Sequence, residues 1–324
     1  MNIYDRQGLK KTAADRIAGA AYSPRLLVII HTGVSLGTSL LVSVILYLLQ
    51  QKIETTGGLS GIGLRSVLTT AQSVLQLVLM LLTILWQVGI VYGAIQIARG
   101  RTARPEDLTA GFRRFGPVLR LKLLQVVFSV AIAMPVMYAC MSLVSLTPLY
   151  GQIEAALLPI MEQVTQGQVI EPDAQTMAEI SRITRPLVLL YLAVYIPVLV
   201  YLSYRVRLAQ YLIMDENGVP RPLAAMLTSW RMTRRRASGL FYLDLSFWWF
   251  YGLRALALVL SYGDQILPLL GISLPLPADG VYFLFFGLYL VAELVLYGLF
   301  GARVQTTYAV AYEAFRLPGE DHCS

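Results

Sequence analysis

Six stretches of this 324-residue chain, at residues 26–49, 74–97, 123–146, 187–204, 240–262 and 281–302, are apolar over about the length of a membrane span. A helix rising about 1.5 Å per residue needs roughly 20 such residues to cross a hydrocarbon layer of about 30 Å. In that solvent a lone strand leaves its backbone polar groups unpaired, so each run must be helical. The composition fits this reading, with 56% hydrophobic and 14% charged residues, against about 25% charged in an ordinary soluble domain. The expected fold is therefore all-α and polytopic, with six transmembrane helices in three hairpins.

Placing the cations decides the threading. Of the 26 Lys and Arg residues, 21 lie before the first run, between runs two and three, between runs four and five, or after the sixth. Lys52, Arg65, Arg182 and Arg185 lie on the other side, and Arg254 falls inside a run. Because basic loops stay in the cytoplasm, both termini are expected there. The net charge of +7 thus reads as topology. The basic loops lack the aromatic platforms and fingerprints of nucleic-acid modules, so no nucleic-acid partner is expected. The start of the chain does not read as a cleavable signal, since its charged region is long and no small-residue cleavage site follows the first run.

Cys140 and Cys323 fall on opposite sides of the expected barrier and form no predicted disulfide. With only two histidines, a metal or haem site has little to build from, and no cofactor is expected.

A short basic, amphipathic segment precedes each outward run, and each is expected to lie as a cytoplasmic interfacial helix. The first, residues 4–20, places Leu9, Ala13, Ile17 and Ala20 at helical spacing. The second, residues 105–115, opens on Pro105 with Glu106 and Asp107, which suit a helix N-terminus. The third, residues 222–236, opens on Pro222 and ends in arginines. Leu108-Thr109 with Phe112-Arg113 echoes Leu227-Thr228 with Trp230-Arg231. One transmembrane domain, residues 1–316, with possible repeat units 1–100, 101–213 and 214–316, is the resulting expectation, followed by a short tail, 317–324. The longest outer loop, 150–186, is expected to hold a helical stretch near 153–164. The proline-studded loop at 264–280 is expected at the interface.

The motifs RxxLKxxAxxxI from Arg6, ARGRTARPEDLTAGFRRFG from Ala98, LDLSF from Leu243 and TTYAVAYEAFR from Thr306 occur in that order. Over about Arg6 to Arg316 the chain resembles the bacterial membrane-protein family catalogued as domain of unknown function 975. That resemblance implies a polytopic helical protein of the bacterial cytoplasmic membrane, and it implies no reaction and no catalytic residues. The long loop at 150–186 departs from the more compact pattern of that family.

Ionisable residues inside spans are the first candidates for function, because their burial in lipid is costly. Arg254 lies roughly 22 Å and Glu293 roughly 15 Å from the cytoplasmic ends of their runs, so an ion pair between them is expected. Asp244 is expected to pair with the nearby Arg234–Arg236 cluster, and His31 to be a hydrogen-bonded packing residue. Gln72, Gln76 and Gln87, with His31 and Asp244, are candidate linings of a polar path. Gly33 and Gly37, and Gly89 and Gly93, form two GxxxG pairs that predict close packing of spans one and two. Arg113, Arg114, Arg231, Arg234, Arg235 and Arg236 are candidate contacts for anionic lipid head groups.

The sequence shows no Ser-His-Asp set, no phosphate-binding loop and no metal motif. A non-enzymatic scaffold or accessory subunit, in contact with membrane lipids and other membrane proteins, is the first expectation. A transporter or lipid-handling protein with a polar site at Arg254 and Glu293 is the alternative. A membrane enzyme comes last, since its carboxylates and histidines are scattered.

Overall fold

The computed structural model of the chain describes residues 5–55, 60–148, 151, 174–219, 221–234, 236–269, 275 and 277–316, and these are helical with no strand among them. Arg235, the expected stretch at 153–164 and the tail at 317–324 lie outside the described residues. The helices are α1 (Arg6–Ala18), α2 (Pro24–Thr55), α3 (Ser60–Ala98), α4 (Ala110–Arg113), α5 (Phe115–Ser145), α6 (Ala174–Val206) and α7 (Ala209–Met214). There follow α8 (Pro222–Thr233), α9 (Ala237–Leu245), α10 (Trp248–Leu260), α11 (Gly263–Leu269), α12 (Ala278–Leu296) and α13 (Ala302–Arg316). A 3₁₀ turn, Pro105–Thr109, leads into α4, and one π turn, Tyr297–Gly301, joins α12 to α13.

Five stretches are long and apolar enough to cross a membrane: Pro24–Leu48, Thr70–Ala98, Phe115–Ser145, Val188–Met214 and Gly280–Arg316. The fifth expected run is not one straight helix. It is α9 and α10, which meet at 63° and make a sixth span only if taken together. The cause is local. The Ser246 hydroxyl bonds the Leu243 carbonyl at 2.6 Å, and the Phe247 amide bonds Asp244 O at 2.9 Å. Lys10 of α1 then donates to the Ser246 carbonyl at 2.9 Å. Such insertion into the i→i−4 ladder is a recognised source of sharp kinks.

Contacts divide the chain into two compact units, Met1–Leu121 with Arg207–Ser324, and Lys122–Val206. The second unit consists of most of α5 and α6. Its apolar side chains are largely exposed, from Leu123 and Val127 to Leu189 and Ile196. Cys140 and Val144 are buried, and Tyr191 stacks on Tyr195 at 5.0 Å.

Burial in the first unit is concentrated at one end of its long helices, here called the base. α2 and α3 have 32 and 39 residues, about 48 and 58 Å at the helical rise, so each outruns a hydrocarbon layer. The surplus packs as a protein core. Leu27, Val28, Ile90, Leu108 and Ala302 form its centre, with Ile30, Trp86 and Tyr297 against it. α13 buries eleven of its fifteen residues, which makes it a core helix rather than the frayed end of a span.

Two glycines set the closest approach in the base. A Cβ on Gly89 would overlap the Leu108 backbone, and one on Gly111 would overlap the Leu85 carbonyl. The 3₁₀ turn and α4 therefore lie directly across α3, which only bare backbones permit. The end of α3 is closed by Gly100 at φ +72°, with the Gly100 amide bonding Ile97 O and the Arg101 amide bonding Gln96 O, both at 2.9 Å. That is a Schellman motif, and it turns the chain back along the helix it has just left.

The three basic segments take three forms. α1 buries Leu9 and Ala13 against α3 and α13, so its apolar face meets protein. Residues 105–113 are a 3₁₀ turn and a four-residue helix. α8 is a twelve-residue helix starting at Pro222 that buries Ala225, Met226, Ser229 and Thr233.

Candidate functional site

The charged groups of the base lie along one edge of α13. Tyr308, Tyr312 and Arg316 recur every four residues and therefore share a helix face. Glu313 stands beside them. Two carboxylates from elsewhere in the chain meet this edge.

The first is Asp215, in the turn after α7, whose side chain is fully buried. Its Oδ2 accepts from Arg99 at 2.6 Å, Arg316 at 2.7 Å and the Tyr312 hydroxyl at 2.8 Å, while Oδ1 accepts the Asn217 amide at 3.1 Å. Arg99 also donates to Glu313 at 2.8 Å. Arg114 donates to the backbone carbonyls of Ile213 and, at 3.1 Å, Asp215. Burial raises the cost of the Asp215 charge, but the bonds from Arg99, Tyr312 and the Asn217 amide outweigh it and hold the carboxyl below the usual range. The same neighbourhood pushes the Arg99 guanidinium up. Next to it, hydrogen bonds from Tyr92 at 2.9 Å and Arg101 at 3.0 Å lower Glu216. A carboxylate this fully bonded ties the ends of α3, α7 and α13 together and is unsuited to act as a base.

The second is Asp244, on α9 just before the bend. Arg207 donates to it at 2.5 Å, and the Tyr308 hydroxyl bonds its other oxygen. Tyr308 is in turn 2.7 Å from the Tyr251 hydroxyl, and Arg207 lies over the Tyr308 ring at 4.3 Å. Spacing along one helix points Asp244 at Arg234–Arg236; among the described residues it is ion-paired to Arg207, thirty-seven residues back, and both side chains meet Tyr308 of α13. Lys10, besides its bond to Ser246, sits 4.2 Å from the centre of the Phe247 ring. Burial, then the charges of Arg303 and Arg6, lower its ammonium pKa.

Away from the base, Arg254 Nε lies 3.2 and 3.3 Å from the two Glu293 oxygens. The structure thus brings α10 and α12 together through the pair expected from their depths. The guanidinium rests 4.9 Å from the centre of the Tyr297 ring. The same two helices, with α11, wall an apolar cavity of about 610 Å³ lined by Leu253, Leu256, Ala257, Phe285, Ala292 and Leu296 among others.

Other candidates are not brought together. Gln72, Gln76 and Gln87 are exposed on α3 and line no common path with Arg254 and Glu293, because they stand on the outward faces of that helix. His31 stacks on Trp86 at 6.4 Å, and Trp86 donates to the His31 carbonyl at 3.1 Å. Its ring nitrogens have no hydrogen-bond partner among the described residues, so it packs without the expected bond.

The glycine expectation also changes. Nothing lies within 4 Å of a Cβ placed on Gly33 or Gly37, whereas Gly93 meets Leu27 at 3.0 Å and Gly89 meets Leu108. α2 and α3 do pack, through Leu27 and Gly93, and the first GxxxG pair faces outward. Of the candidate lipid-contact arginines, Arg113, Arg231 and Arg234 are exposed, while Arg114 and Arg236 are partly buried.

Asp215, Glu313, Tyr308, Tyr312 and Lys10 were not among the sequence candidates. The i, i+4, i+8 spacing of Tyr308, Tyr312 and Arg316 in a weakly apolar segment is the signal that could have marked them. Comparison of the chain with family models, curated proteins and solved structures finds no match. What stands is a helical protein with several apolar helices able to cross a membrane and a buried polar seam at one end of its first unit.

Proposed function

We propose that the protein is a non-enzymatic scaffold or accessory subunit of the bacterial cytoplasmic membrane, akin to the family catalogued as domain of unknown function 975. The base would lie on the cytoplasmic side with both termini, since most Lys and Arg residues belong to segments at that end of the spans. One observation carries the reading. The carboxylates of the base are bound in structural ion pairs, while the spans present long exposed apolar faces. A rigid platform bearing helices with free faces suits the assembly of neighbouring membrane proteins, where close packing supplies the association energy.

Lipid contact belongs to the same reading. Leu223 and Leu227 are exposed on α8 in line with Arg231 and Arg234, an apolar and basic face suited to anionic head groups. Each such cation contributes about 1 kcal/mol near a charged surface.

Photo-crosslinking in living membranes tests the scaffold reading. A crosslinker at Val127, Met134 or Tyr138, all exposed, is expected to yield discrete protein adducts of constant mass. Adducts to lipid alone at all three positions would refute it.

A further inference from the structure

The geometry points to a binding site for an amphiphile with an oxyanion head and a single long apolar tail, head on Arg254 and tail in the cavity between α10, α11 and α12. Glu293 engages Arg254 through Nε alone. No described residue accepts from the terminal nitrogens Nη1 and Nη2, and the side chain is 38% exposed. Around it stand apolar helices of a length to cross a membrane, with Leu253, Leu256 and Ala257 on the same helix.

Guanidinium N–H groups facing hydrocarbon are costly, and a carboxylate or phosphate satisfies two of them at once through the planar fork. Glu293 lies on the Nε edge and leaves that fork clear. It also lowers the net charge of the site, so release of the ligand does not leave a bare cation.

The tail has a matching place. The lining on α12 runs from Phe285 to Leu296, about 16 Å at the helical rise, and α11 contributes Gly263, Ile266 and Leu267. On each helix the charged residue has a cavity-lining neighbour three positions on, Ala257 for Arg254 on α10 and Leu296 for Glu293 on α12, and residues at that spacing adjoin on the helix surface. Head and tail sites are therefore contiguous. A neutral lipid would fill the apolar part and leave the fork unpaired, which is why the charge selects the ligand class. The site does not depend on the scaffold reading, since a scaffold with no ligand and a ligand-binding protein with no partner would each fail only one test.

Native mass spectrometry of the full-length protein, released from detergent, tests it with three probes of equal chain length: palmitate, palmitoyl lysophosphatidate and hexadecanol. At least one anionic probe is expected to bind about tenfold or more tightly than hexadecanol, the range of a charge-assisted hydrogen bond. Which one wins separates a carboxylate from a phosphate head. The double variant Arg254→Gln with Glu293→Gln keeps the site neutral and should abolish that preference. Arg254→Lys should retain part of it, because a point charge replaces the fork. Ala292→Phe, which fills the cavity, should weaken all three probes. Equal binding of hexadecanol and both anions, or an anion preference that survives the double variant, overturns the proposal. So does tail binding unchanged by Ala292→Phe.

Discussion

The base of the first unit and the apolar helices that rise from it are parts of the same chain, yet they are held by different means. Around Ile90, Leu108 and α13 the side chains interlock, and the charges are buried in pairs. In the apolar window of Gly280–Arg316 only 6% of residues are buried, and in that of Pro24–Leu48 only 11%. Water drives apolar groups together in the base. In lipid that drive is absent, and helices associate through packing and a few polar contacts. The lesson is that the same residue type carries opposite weight in the two regions. Gly89 in the base is a contact, while Gly37, Gly252 and Gly287 in the apolar helices have open space around them.

The sharpest way to break this comparison is Asp215→Ala. It leaves Arg99 and Arg316 without their shared carboxylate, and loss of one partner from a buried ion pair costs about 3–5 kcal/mol. Thermal unfolding in detergent should show a large drop, with protease cleavage appearing between α7 and α8. An unchanged melting temperature would mean that the base is not held by this carboxylate.

Next in size is a matched pair of glycine substitutions. Gly89→Leu must displace the Leu108 backbone and should cost about 1–3 kcal/mol as overpacking. Gly37→Leu meets open space and should stay within about 0.5 kcal/mol. Equal effects of the two would erase the distinction between base and apolar region.

Lys10→Met should remove the bond to Ser246 while keeping a stem over Phe247. About 0.5–1.5 kcal/mol is expected, read as faster hydrogen exchange in α1 and at the α9–α10 bend. No change at the bend would show that Lys10 does not stabilise it.

The smallest effect is the pH response. The Asp215 carboxyl titrates lower in the folded protein than in the unfolded chain, so its contribution is complete above the ordinary carboxylate pKa of about 3.9. It is lost as pH falls through the lower folded value. Between pH 7 and 5 the wild type should therefore keep its stability, and below about pH 4 it should lose it more steeply than Asp215→Asn. A parallel decline of the two proteins would remove Asp215 from the acid response.

Much of this architecture was legible along the chain because hydrocarbon imposes a length and a composition on every crossing helix. The spans at 26–49, 74–97 and 123–146 were readable on those terms, and the meeting of Arg254 with Glu293 followed from depth alone. The bend inside the run at 240–262 was not readable, since it depends on Lys10, more than two hundred residues away. Nor was the role of Asp215, one acid in an arginine-rich loop whose partners come from three other segments. Gly89 and Gly93 were recognisable as contact residues, but not that Gly89 would meet a turn of the chain rather than a neighbouring span.

By itself, then, the sequence determined the membrane-length helices, their number to within the bent pair, and where cations cluster, because each of these depends on local composition. Only the tertiary structure decided that the surplus ends of the helices build a protein core, that α13 is its central element, and which charges neutralise one another. Those outcomes depend on distances between segments far apart in the chain, and no local pattern of residues records them.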